Sequence, residues 1–368
     1  MAALGLPTAT GCSSTPETRE PARIIRTPDP SELREAMHYR RLDDGRVQCQ
    51  VCFRQCIVSD GRLGFCNNKK NIGGAYYSLI YGQPCALQVD PIEKEPAFHM
   101  LPGTRIFCVG TASCNSRCKF CQNWEMSQRT LWETVNYRAT PDEVIEQAKA
   151  SGCGGISFTY NEPIAFYEYM YDIASMAKAQ GLRALCHTNG TMLAASLQQL
   201  LVQLDAITVD LKAFVSDFYR QVCSLELAPV LRTLERVAQA GVHLEIVNLI
   251  IPKLNDNPED IRSMCTWIVE TLGIEVPLHF IRFWPSYKMQ HLPPTPVETL
   301  EDAVAIADEV GLHYVYLGNV PGHSRNSTFC PACKERIIHR LHFTVVANDV
   351  VDGKCGFCGY PIAGVWDV

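Results

Sequence analysis

Eleven of the eighteen cysteines in this chain fall into three tight groups, and their spacing is what could do chemistry. Cys114, Cys118 and Cys121 form a C-x3-C-x2-C run inside CVGTASCNSRCKFCQNW. Thiolates are soft ligands, suited to zinc or to iron–sulfur clusters. A closed structural site takes four ligands, so three in one loop leave a metal position open, as catalysis needs. One reading is a [4Fe–4S] cluster with one iron free for a substrate or cofactor. The other is a zinc loop completed by a distant residue such as His99.

The second group, Cys330, Cys333, Cys355 and Cys358, makes two C-x2-C knuckles separated by 21 residues. That spacing signals one tetrahedral metal ion, zinc in a structural ribbon or iron in a rubredoxin-like carrier. The third group, Cys49, Cys52, Cys56 and Cys66, reads C-x2-C-x3-C-x9-C and again suggests a closed site. It would hold zinc or an auxiliary iron–sulfur cluster able to relay electrons to the three-cysteine loop. The scattered cysteines (Cys12, Cys85, Cys108, Cys153, Cys186, Cys223, Cys265) read as small buried hydrophobes.

Composition narrows the classes. The net charge of -6 disfavours non-specific nucleic-acid binding, which draws on a basic excess. No apolar run reaches the roughly 18 residues that span a bilayer, so no membrane is expected. The first residues lack the basic and apolar regions of a secretory signal. Clustered cysteines without an export signal point to metal or catalysis rather than disulfides, and so to a reducing cytoplasm.

The elements that must position these groups follow. Residues 1–45 read as a flexible tail to about Pro30 and then a short helix over 31–45, with Ser31 as N-cap and Glu32 and Glu35 at its positive end. Residues 46–104 form a cysteine-rich module with linker strands. From 105 to 322 apolar strand runs alternate with amphipathic helices: IFCVG, then PDEVIEQAKASG, then GISFTY, and so on to HYVYLGNV. Such alternation predicts an α/β fold, a parallel sheet curling into a partial or full (β/α) barrel. The three-cysteine loop then sits at the C-terminal end of the first barrel strand, on the catalytic rim. Residues 323–368 read as a small appended zinc-ribbon or rubredoxin-like module.

C-x3-C-x2-C with Phe120 before the last cysteine resembles the signature of radical S-adenosylmethionine (SAM) enzymes, and the likeness extends over residues 105–322. TYNEP (159–163) is similar to the motif that holds the methionyl amino group of SAM, which implies that role for Glu162. HTNG (187–190), VDLK (209–212), LIIPKLNDN (249–257) and RFWPSYKM (282–289) resemble segments of glycyl-radical activating enzymes of the pyruvate formate-lyase type. In that subgroup the Asp and Lys of DLK face SAM, which implies Asp210 and Lys212. Arg282 on a late strand would face the SAM or substrate carboxylate. DPIEKEP (90–96), FHMLPGT (98–104), CNSRCKFCQNWEMSQ (114–128) and the terminal cysteine groups resemble the AmmeMemoRadiSam system radical SAM enzymes.

The resemblance implies reductive cleavage of SAM at a [4Fe–4S] cluster and hydrogen abstraction from a substrate of unknown identity, whether protein, peptide or small molecule. It also implies a reductant such as flavodoxin or ferredoxin, and association with Memo-type and AMMECR-type proteins. Two positions depart from the pattern. Ser113 stands where a glycine usually precedes the first cluster cysteine. His187 stands where activating enzymes have an aspartate, which removes a hard oxygen ligand from their monovalent-cation site. The competing reading is a non-catalytic electron carrier or zinc scaffold. It would need neither the open loop nor Glu162, Asp210 and Lys212 at successive strand ends.

Overall fold

A computed structural model describes residues 33–367. The tail, Cys12, Ser31 and Glu32 lie outside them. Seven parallel strands lie side by side in chain order: Arg105–Gly110, Gly155–Phe158, Arg183–Thr188, Ala206–Asp210, His243–Ile250, Leu278–Arg282 and Val315–Gly318. Ala86–Pro91 joins the first of them antiparallel, giving an eight-stranded sheet. The first and last of the eight are opposite edges, so the sheet is a partial barrel. Helices such as Pro141–Ala150, Tyr167–Ala179 and Leu227–Ala240 fill the crossovers. The helix starts follow local chemistry. Pro141 opens its helix behind a capping box, in which Thr140 Oγ1 accepts from Glu143 N and the Glu143 carboxylate accepts from Thr140 N.

Strand alternation divides the core from the site. One set of side chains (Phe107, Ile156, Phe158, Ile207, Ile246, Phe280) packs under the helices in the main hydrophobic core. Each such residue contributes about 1.5–3 kcal/mol by leaving water. The alternate set (Cys108, Ser157, His187, Thr208, Glu245, His279) points to the concave face and is largely polar. A half-barrel with a polar inner wall is a frame for a cavity rather than a filled core.

The helix expected over 31–45 is corrected. Arg34–Glu35 pairs antiparallel with Tyr77 and Ser78, and Tyr39–Arg41 pairs with Val47–Cys49. The turn between the latter two is Asp43-Asp44-Gly45, with Gly45 at φ 76° and Leu42 N donating to Arg46 O at 2.9 Å. Asp-Gly between two strand runs is a hairpin signal. Pairing to neighbours outweighs helix propensities worth tenths of a kcal/mol per residue.

The C-terminal segment forms a three-stranded sheet, Thr328–Phe329, Arg336–Leu341 and Thr344–Asn348, and a short hairpin of Val350–Val351 with Lys354–Cys355. It shares a buried cluster with the barrel: Phe98, Tyr314 and Tyr316 against Ile337, Ile338 and Ile362. Arg340 is buried within this joint. Its Nη1 donates to Thr328 Oγ1 at 2.8 Å, its Nη2 donates to Phe98 O at 2.6 Å, and its Nε lies 3.5 Å from Glu93 Oε1. Neither side chain of the Arg340–Glu93 pair is exposed. Among the described residues no helix is long and apolar enough to cross a membrane.

Candidate active site

The C-terminal strand ends open into one cavity of about 560 Å³. It is lined by Cys114, Cys118, Cys121, Phe120, Glu162, Asp210 and Lys212, so the structure brings seven of the expected site residues together.

The three-cysteine loop is held by backbone hydrogen bonds. Ser113 N donates to Met126 O (2.8 Å), Arg117 N to Cys223 O (2.9 Å) and Lys119 N to Val222 O (3.0 Å). Asn161 Nδ2 donates to Ser113 O at 2.6 Å. Ser113 itself has φ 68°, the left-handed region that costs a non-glycine residue about 1–2 kcal/mol. Ser113→Gly should therefore raise the unfolding free energy of the metal-free chain by about 0.5–1 kcal/mol in urea titration. An unchanged or lower value would remove strain at this position from the account.

Around the sulfurs, Ser116 Oγ lies 3.1 Å from Cys114 Sγ, and Ser127 Oγ lies 3.1 Å from Cys121 Sγ. Burial pushes the Cys114 thiol up to about 12 and the Cys121 thiol up to about 11. Contact with the Cys223 thiol, with help from Lys212 and against burial, brings Cys118 down to about 6. Two of the three are therefore thiols at neutral pH until a metal deprotonates them. Buried soft donors with hydroxyls beside their sulfurs and a lysine nearby suit an anionic iron–sulfur cluster. The rival fourth ligand, His99, is committed elsewhere. Its Nδ1 lies 2.7 Å from Ala363 O and its Nε2 lies 2.6 Å from Tyr316 Oη.

Glu162 ends the strand Gly155–Phe158 region and caps the short turn Pro163–Phe166 through Ile164 N. Its Oε1 accepts from Thr188 Oγ1 at 2.6 Å and its Oε2 from Asn189 N at 2.7 Å. Burial pushes its carboxyl up to about 7. Asp210 lies 2.7 Å from Lys212 Nζ and 3.3 Å from His187 Nε2. Burial opposes its charge, yet Lys212 and His187 hold it below the usual carboxylate range. His187 thus faces the cavity as a partner of Asp210. Lys212 Nζ also sits 5.7 Å from the centroid of the Phe120 ring.

Arg282 is corrected in place. It does not line the cavity: its Nε donates to Thr295 O at 2.7 Å and its guanidinium lies over Trp284. On this strand His279 and Ile281 face inward, so residue 282 must face the other way.

The three cysteine groups differ in spacing. In the C-terminal group Cys330 and Cys358 sulfurs are 3.6 Å apart and Cys333 and Cys355 sulfurs 3.7 Å apart, and all four lie within 4.8 Å of one another. Tetrahedral bonds of about 2.3 Å give sulfur edges of about 3.8 Å, so this group is shaped for one ion. Cys49, Cys52, Cys56 and Cys66 are neighbours but do not form such a set; among the described residues the other set that tight is Asp90, Glu95 and Cys108. Burial pushes Cys49 up to about 11 and Cys52 up to about 12. The N-terminal module touches the catalytic loop directly: Arg54 Nε donates to Asn115 O at 2.8 Å, and Arg117 Nη2 donates to Phe65 O at 3.0 Å.

Three features escaped sequence reasoning. Cys223, grouped with the buried hydrophobes, abuts Cys118. Glu93 was visible within DPIEKEP but without a role. His342 and Phe343 line the cavity from the C-terminal module, and no sequence signal announces a hairpin tip that reaches a barrel mouth.

The family model described as the radical SAM superfamily matches residues 109–268. A relative 44% identical over 332 residues, the uncharacterized protein MJ0808 of Methanocaldococcus jannaschii, covers 90% of this chain and 99% of its own. The chain belongs to the radical SAM superfamily. Radical SAM catalysis implies SAM and a [4Fe–4S] cluster as cofactors, and the cavity described above holds the residues that fit them. The pyruvate formate-lyase-activating enzyme of Clostridium pasteurianum is 26% identical over 186 residues, 47% of this chain and 73% of that one. A crystallised domain of the pyruvate-formate lyase-activating enzyme from Bacteroides vulgatus aligns with a TM-score of 0.41 at 19% identity, over 45% of this chain and 99% of that one.

Proposed function

We propose that this radical SAM protein is an enzyme of the activating-enzyme-like branch, related to the AmmeMemoRadiSam system. Cys114, Cys118 and Cys121 ligate the cluster, and Phe120, Glu162, Asp210 and Lys212 surround SAM. Those thiolates would hold a [4Fe–4S] cluster, and the chemistry it would supply is one-electron reductive cleavage of SAM followed by hydrogen abstraction from a substrate. The chain's residues do the rest. Glu162 accepts the methionyl ammonium. Lys212, held by Asp210, balances thiolate charge. The apolar wall of Val247, Leu249 and Ile281 keeps water from the reacting centre.

The observation that carries this reading is that the three cysteines share one cavity with Glu162, Asp210 and Lys212. The C-terminal quartet holds a single ion, zinc or iron; the N-terminal quartet holds zinc or an auxiliary cluster. Flavodoxin or ferredoxin supplies the electron, Memo-type and AMMECR-type proteins are the associated partners, and the cytoplasm is the compartment. The test is 5′-deoxyadenosine formation by anaerobically reconstituted protein given SAM and reductant. Intact SAM beside a reduced cluster, with the candidate partners present, would leave the carrier reading.

Glu162→Gln should raise the Kd for SAM about 10- to 100-fold, the loss of one hydrogen bond between charged groups. Equilibrium dialysis with labelled SAM measures it. The ammonium requires the ionised carboxyl, so wild-type affinity should rise as pH passes through about 7 and level off above. The variant should show a flat profile; a retained pH dependence would assign it to Cys114 or Asp210, whose charges also reach Glu162.

A further inference from the structure

We propose that His187, paired with Asp210, is the fixed cation of the SAM site: it receives the carboxylate of the methionyl group, and the cavity binds SAM without an alkali-metal ion. This rests on the radical SAM reading above and adds a binding residue to the same site.

The first observation is that the oxygens around His187 are already taken. The resemblance to activating enzymes implies a monovalent cation at the segment HTNG (187–190), and the residues present do not fit one. A hard cation needs free oxygen ligands. Asp210 Oδ1 faces His187 Nε2 at 3.3 Å, and Asp210 Oδ2 accepts from Lys212 Nζ at 2.7 Å. Glu162 accepts from Ile164 N and Thr188 Oγ1 on one oxygen and from Asn189 N on the other. The Thr188 hydroxyl accepts in turn from Gly190 N at 3.2 Å. An added alkali ion would meet the like charges of His187 and Lys212 beside Asp210.

The second observation is a ring nitrogen left over. His187 lines the cavity from the strand Arg183–Thr188, and 20% of its side chain is accessible. Its Nε2 is spent on Asp210, and its Nδ1 has no hydrogen-bond partner among the described residues. Burial opposes charge on this ring. Asp210 and then Glu95 outweigh burial and the opposing Lys212, and raise the imidazole above an ordinary histidine. Protonated, the ring donates from both nitrogens, one to Asp210 and one to a ligand.

The third is its place beside the ammonium acceptor. His187 is followed directly by Thr188 and Asn189, whose Oγ1 and N are bound to Glu162 at 2.6 and 2.7 Å. Consecutive Cα atoms are only about 3.8 Å apart. Asp210, the partner of His187, also acts on Glu162 through its charge. The ammonium and carboxylate of a methionyl group share one carbon, so an ammonium on Glu162 brings its carboxylate to the end of the same strand. The lysines of the cavity are engaged elsewhere. Lys94 Nζ lies 2.8–2.9 Å from both oxygens of Asp90, and Lys212 divides its charge between Asp210 and Cys118.

The test measures SAM binding by equilibrium dialysis at neutral pH, with the full chain reconstituted with iron and sulfide. Tetramethylammonium chloride is exchanged for potassium or sodium chloride at constant ionic strength. Wild-type affinity should stay constant across the exchange. A second probe, decarboxylated SAM, keeps the ammonium and lacks the carboxylate. His187→Ala should weaken SAM about 10- to 100-fold, the worth of one charged hydrogen bond, and leave decarboxylated SAM within about twofold. His187→Asp should lose affinity in tetramethylammonium and regain it in potassium, because a second carboxylate beside Asp210 supplies the oxygens a hard cation takes. Tightening of wild-type binding by potassium or sodium, equal loss of both probes in His187→Ala, or loss of neither overturns the assignment. Wild-type protein that holds its cluster and binds no SAM sinks the parent reading, whereas alkali dependence sinks this assignment alone.

Discussion

Replacing Cys118 with alanine should abolish 5′-deoxyadenosine formation and the electron-paramagnetic signal of the proposed cluster, yet leave the metal content of the C-terminal quartet unchanged. The loop supplies three thiolates, and the rival ligand His99 is spent on Ala363 and Tyr316. With two thiolates left, the loop falls below the count that an open cluster needs. The C-terminal quartet is unaffected because its sulfurs are already gathered at tetrahedral distances by their own knuckles, where Gly359 N donates to Cys355 O at 2.8 Å. Iron, sulfide and zinc analysis of the purified variant reads both sites at once. Loss of both together would show that the sites are not independent.

The largest stability effect is expected at Arg340. Arg340→Met keeps the volume but strips the countercharge from Glu93 and the donors from Phe98 O and Thr328 Oγ1. Breaking a buried pair on one side costs about 3–5 kcal/mol, and urea unfolding should show it. The deficit has a pH dependence of known sign. Burial already raises the Glu93 carboxyl above its ordinary value, and without Arg340 it rises further. An acid whose folded pKa exceeds its unfolded one destabilises the fold as pH climbs from the unfolded to the folded value. The variant should therefore be closer to wild type near pH 5 than at pH 8. Pairing it with Glu93→Met should restore most of the loss. A single-variant cost under about 1 kcal/mol would mean the joint is held by its apolar contacts instead.

Much of the barrel was legible because its cause is local. The period-3.6 pattern of PDEVIEQAKASG and the apolar runs GISFTY and AITVDLK need no distant partner to declare themselves. The cysteine loop was legible because ligand spacing is a property of a short stretch. The failures share the opposite property. Residues 33–45 carry helix-forming side chains but pair with strands at 47–49 and 75–78. Arg282 was placed by its neighbourhood in the chain, while strand parity, set by His279 and Ile281, turns it outward. Phe343 and Glu93 meet in one cavity across some 250 residues, a distance over which no periodicity speaks.

The buried Arg340–Glu93 contact spans 247 positions of chain. A boundary drawn between residues 322 and 323 looks natural on paper, since a barrel ends and a small sheet with two cysteine knuckles, a ribbon, begins. Energetically it is a poor place to divide the molecule. Barrel alone would carry an acid stranded in an apolar joint, and ribbon alone would carry a naked guanidinium. The two halves are thus co-dependent, and a change of side chain on one obliges a matching change on the other. Heredity would have to move them as a unit, which makes this ribbon a fixed organ of the barrel and not an interchangeable attachment.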